Sequence, residues 1–73
     1  MIPLPSFWRA KLAEAPETGM GYQIVTIQLL DGREFKQVAI IGDCIGQIRG
    51  FKDIPFAVAD IVNIELTHEK WDW

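Results

Sequence analysis

Apolar positions recur at two different periods along the chain, and the change of period marks its organisation. In "PSFWRAKLAEAP" Trp8 and Leu12 fall four apart, on one face of a helix, while Arg9, Lys11 and Glu14 take the other faces. That spacing predicts a short helix with Ser6 as N-cap, ended by Pro16. The prolines of "MIPLP" favour extended backbone, so an irregular arm competes with the helix over residues 1–21. "PETGMG" reads as the loop into the body of the protein.

From Tyr22 the period becomes two. "YQIVTIQLL" predicts a strand with Val25, Ile27 and Leu29 on one face and Tyr22 and Ile24 on the other, covered in part on both sides. Asp31–Gly32 is a hairpin signal, and "REFKQVAII" is the returning strand. Its alternation slips: Phe35 is in phase with Ala39 and Ile41, but Val38 and Ile40 are not. A β-bulge at Lys36–Gln37 would reconcile the two halves. Gly42–Asp43 predicts another turn, followed by a short strand carrying Ile45 and Ile48, with Gly46 marking a bend or a close backbone approach. A further strand is expected at Phe51–Ile54. "PFAVAD" is too short for an ordinary helix and predicts a single turn, 3₁₀ in character. The last strand should point Val62, Ile64 and Leu66 one way, and Asn63, Glu65 and Thr67 the other.

Several short strands joined by close turns predict a mainly β fold: a small, strongly bent antiparallel barrel with a short N-terminal helix or arm. The expected divisions are an arm at 1–21, a barrel at 22–67 and an aromatic tail at 68–73. In Tyr22–Ile48 and in "PFAVADIVNIEL" the chain resembles small Src-homology-3-like and Sm-like barrels. The resemblance lies in the order of elements, covers most of the chain and includes no family signature. It implies a fold and leaves function to be argued from sites.

Composition narrows the classes. With 73 residues there is room for one core, and 49% hydrophobic against 23% charged residues is a folded composition. A core of this size commonly supplies only about 3–5 kcal/mol. The lone Cys44 cannot make an internal disulfide, and no Cys/His cluster suggests a structural zinc. Oligomerisation is the device left to such a chain. The opening residues lack the pattern of a signal peptide, and no apolar run approaches a membrane span. With a lone thiol, a reducing cytoplasm is the expected setting and no membrane is expected as partner.

The net charge of −3 and scattered Lys and Arg argue against a general nucleic-acid binder. The alternative reading uses "RGFKD": Arg49 and Lys52 on phosphates and Phe51 stacked on a base, an Sm-like hold on single-stranded RNA. Catalytic constellations are weak. Cys44 with His68 would need an electropositive setting, whereas Asp43 is adjacent, so Cys44 reads as a small half-buried filler. His68, Glu69 and Asp72 read as a solvated tail, with no metal and no cofactor expected. Asp31, Asp43 and Asp53 suit turns, and the glycines at 42, 46 and 50 suit bends in a curved sheet. Aromatic residues are the most suggestive group. Trp8, Trp71 and Trp73 lie outside the expected strands, and indole buries much surface with few rotors. Together with Phe51 they are the expected contact residues of a non-catalytic interaction or structural module that self-associates.

Overall fold

The computed structural model describes residues 2–69. Tyr22–Leu29 forms strand β2, and its alternation puts Val25, Ile27 and Leu29 into the core as expected. On the opposite face Ile24 pairs with Ala39 of β3 (Glu34–Ile41), and both are buried, so the sheet is covered on both sides there. The β2–β3 turn differs in detail from a two-residue hairpin. Gly32 N–H donates to Leu29 O at 3.0 Å and Leu29 N–H to Arg33 O at 2.9 Å, with Gly32 at φ 91°. Leu30 and Asp31 are therefore the central residues, and Gly32 takes the left-handed position that follows them.

The bulge falls where the alternation slips. Val25 faces Val38 and Ile27 faces Phe35, so Lys36 and Gln37 together oppose Thr26, and Gln37 sits at φ 54°. This extra residue lets Phe35 and Val38 both enter the core. Gly42 and Asp43, at φ 56° and 64°, then reverse the chain into β4 (Cys44–Ile48). The double positive φ is that of a two-residue hairpin turn matched to strand twist. A second bulge, at Gly46, lies between the Ala39–Gln47 and Ile40–Ile45 pairs. A Cβ there would come within 2.9 Å of Ile41 Cδ1.

Helix and arm are both present, in succession. Ile2–Pro3 is a two-residue strand, β1, paired with Cys44–Ile45 at the edge of the sheet, where the missing proline N–H is harmless. Leu4 is buried behind it. Helix α1 follows at Ser6–Ala13 and packs Leu12, with part of Trp8, onto the core. The expected cap is corrected: Pro5 is the N-cap and no side chain caps the helix, since Ser6 is already its first residue.

Phe51–Ile54 is not a strand. Gly50 at φ 85° turns the chain so that Phe51 N–H bonds Ile48 O at 3.0 Å, and bends follow to Pro55. The expected helical turn is a 3₁₀ turn at Val58–Asp60, leading into β5 (Ile61–Leu66). Here the expected alternation fails at one position. A third bulge lets Gln28 face Asn63 while Leu29 faces Ile61, so Ile61 fills the core place and Val62 is 51% exposed.

The strands form one antiparallel sheet in the order β1-β4-β3-β2-β5, mainly β and strongly curled into a half-barrel with one short helix. Among the described residues, β1 and β5 are its two outer strands and do not pair with each other. The core runs from Leu4 and Leu12 through Val25, Ile27 and Val38 to Phe35, Phe56 and Ile64.

Candidate functional site

Of the residues expected to make contacts, the two among the described residues, Trp8 and Phe51, lie on separate elements. On α1, Trp8 is half-buried against the core, its ring 4.9 Å from Phe7 in an edge-on arrangement, with Lys11 Nζ 5.2 Å from its centroid. A protonated amine over an indole face is attracted by the ring quadrupole. Phe7, which the pattern did not single out, is 68% exposed. It follows Ser6 and precedes the inward-turned Trp8, so helical geometry sends it outward.

The second element is the loop after β4. Phe51 stands edge-on to Phe35 at 5.3 Å and is 48% exposed, while Phe35 packs at 5.1 Å against buried Phe56. Arg33 also reaches this group, its guanidinium carbon 5.8 Å from the Phe35 centroid. Arg49 and Lys52 flank Phe51 and are both exposed. They are not equivalent: Arg49 Nη1 donates to Gln37 Oε1 at 3.1 Å, tying it to the β3 bulge. Lys52 instead lines a small cleft of about 320 Å³ with Ile2, Gly46, Asp53 and Ile54. No ring contact joins Trp8 to Phe51. Trp71 and Trp73 lie outside the described residues, as does Asp72.

His68 and Cys44 occupy different surroundings. His68 Nδ1 is 2.6 Å from Thr18 Oγ1, which also accepts the Ile24 N–H at 2.8 Å. The backbone N–H groups of Thr67 and His68 both reach Ile24 O, at 3.2 and 3.1 Å. His68 thus fastens the chain leaving β5 to the loop before β2. Cys44 is a half-buried free thiol at the start of β4, opposite Pro3 and Ile41. Among the described residues no three His, Cys, Asp or Glu side chains are placed to share a metal ion. Of the turn carboxylates, Asp31 accepts the Arg33 backbone N–H at 3.0 Å and the Arg33 Nε–H at 2.7 Å. The backbone hydrogen bond, with the guanidinium second, holds its carboxyl below the ordinary value of 3.8.

A feature that sequence reasoning missed is Gln23. It lies in phase with Val25, Ile27 and Leu29 and is only 8% exposed. Its Nε2 donates to Leu12 O at 3.0 Å and to Ala15 O and Pro16 O, both at 3.3 Å. An amide nitrogen here adds a donor to carbonyls where the helix runs out of its own N–H groups, Leu12 O accepting the Ala15 N–H as well, at 3.1 Å. The signal was a single polar residue in an otherwise apolar phase.

Beside Gln23 opens a cleft of about 370 Å³ between the end of α1, the start of β2 and the end of β3 with its following turn. Leu12 and Ile40 supply apolar walls, and Glu17, Tyr22, Gly42 and Asp43 also line it. No helix among the described residues is long and apolar enough to cross a membrane. Comparison with protein-family models, with characterised proteins and with solved structures gives no match for this chain.

Proposed function

We propose that this chain is a non-catalytic interaction or structural module that self-associates, working in a reducing compartment such as the cytoplasm. The observation that carries the reading is the open half-barrel: a sheet that curls without pairing its outer strands β1 and β5. β1 is two residues long and carries Pro3, so it is a poor template for further pairing. β5 has six residues, and among the described residues it pairs only with β2. A second copy suits that edge because a strand related by a two-fold axis meets itself antiparallel, with no other sequence required. Val62, lifted outward by the bulge, and the exposed aromatic Phe7 offer apolar surface that a small core leaves over. Trp8 and Phe51, each partly packed at home, and Trp71 and Trp73 complete the contact residues of this reading. The likeness to Src-homology-3-like and Sm-like barrels belongs to the same proposal, as a likeness of element order.

Amide hydrogen exchange at low and high protein concentration tests it. β5 amides turned away from β2 should gain protection as concentration rises. Equal exchange at both concentrations would count against pairing through this edge.

A second reading, a barrel that binds single-stranded nucleic acid, draws on one observation: Phe51 is about half exposed beside Lys52. Arg49 would have to leave Gln37 to join them. This reading predicts binding to a single-stranded oligonucleotide that weakens steeply with salt, and loss of it in Phe51→Ala. Absence of binding at low salt removes it.

A further inference from the structure

We propose that the cleft beside Gln23 is a binding site for a primary ammonium group carried on a short alkyl chain. The argument begins with the buried amide. Its nitrogen faces three carbonyl oxygens, which fixes the orientation of the side chain, since the oxygen could not take that place. No hydrogen bond to Gln23 Oε1 is formed among the described residues, although the side chain is nine-tenths buried and lines the cleft. A buried acceptor without a donor carries a desolvation cost that a donor-bearing ligand would relieve.

Charge on the walls of the cleft selects the kind of donor. Asp43 is held there by the hairpin turn at φ 64°, and its carboxylate makes no ion pair among the described residues. Glu17 spends one oxygen on the Gly21 N–H at 2.6 Å and keeps the other. Two carboxylates and an amide oxygen favour a cation with hydrogen-bond donors and repel an anion. Leu12 and Ile40 add apolar wall, which suits a methylene stem behind the charged head. A bare divalent cation fits less well, because no third carboxylate, thiol or imidazole is within reach. An ammonium group offers three donors to those three acceptors.

Two sources share this chemistry, a free alkylamine and a lysine side chain in a polypeptide. The test is a ¹H–¹⁵N titration of the whole chain at constant ionic strength. Its probes are n-butylammonium, 1-butanol as the neutral comparison, and an N-acetylated peptide amide containing one lysine. Butylammonium should shift the Gln23 side-chain amide and the Gly21 and Gly42 backbone amides to saturation, whereas butanol should not. Asp43→Asn and Glu17→Gln should each weaken binding by up to about fivefold, the range of a partly exposed ion pair. Asparagine is at ease at positive φ, so Asp43→Asn should keep the dispersed spectrum of the folded protein. Tighter binding of the peptide than of butylammonium assigns the site to a polypeptide lysine, and the reverse assigns it to a free amine. No saturable shift with either ammonium probe, equal shifts with butanol, or unchanged affinity in both variants would overturn the proposal.

Discussion

At the scale of single residues, two side chains show how this fold spends its polar groups. Gln23 interrupts an apolar phase and holds the end of α1 on the sheet through three backbone carbonyls. Gln23→Ala should therefore cost about 1–3 kcal/mol in urea denaturation, the usual penalty for leaving buried polar groups unpaired. Gln23→Glu should cost more, because a carboxylate would then face those oxygens. Asp31 acts in the opposite setting, exposed at the surface, where two hydrogen bonds from Arg33 favour its charged form. Its folded value lies below the ordinary 3.8, so its contribution is complete above that pH and fades as pH falls through the lowered value. A carboxyl-resolved NMR titration should place its midpoint below 3.8, and Arg33→Ala should raise that midpoint toward the ordinary value. The hairpin glycines and the Asp31 turn were legible in the sequence because their conformations are local. The role of Gln23 was not, since its three partners lie 7 to 11 residues away and meet it only after folding.

At the scale of elements, bulges decide where side chains go. The one at Lys36–Gln37 could be read from a slip in the alternation, because restoring phase needs one extra residue. The one at Ile61–Val62 could not: "IVNIEL" alternates well from Val62 onward and offers no slip, and pairing with β2 inserts the extra residue. Ile61 is thus the core residue and Val62 the surface one, which gives a direct comparison. Ile61→Ala should destabilise by roughly 2–4 kcal/mol, whereas Val62→Ala should stay within about 0.5 kcal/mol in dilute protein. Similar costs for the two would contradict the register. The helix gives the same lesson. Trp8 and Leu12 share the inward face as their spacing required, but the strand formed by Ile2–Pro3 was not legible, because the edge it pairs with is supplied by β4, some forty residues on. Leu12→Ala should cost about 2–4 kcal/mol and release α1 first, seen as early loss of protection in its amides.

At the scale of the whole molecule, the fold is a curled sheet with an apolar interior and an open outer strand. A single core with no internal disulfide has little stability to spare, and pairing with a second copy would add to it by mass action. Self-association is the central claim, and it joins the open β5 edge, the exposed Val62 and the slender core in one account. Val62→Lys should favour the monomer while leaving the core untouched, because the side chain already stands in solvent. Its thermal midpoint should then become independent of protein concentration. The most direct measurement is sedimentation equilibrium of the unaltered chain from low micromolar to millimolar concentration. The account predicts a mass that rises from 8.3 kDa toward twice that value along a single monomer–dimer isotherm. A mass that stays at 8.3 kDa across the whole range would contradict it.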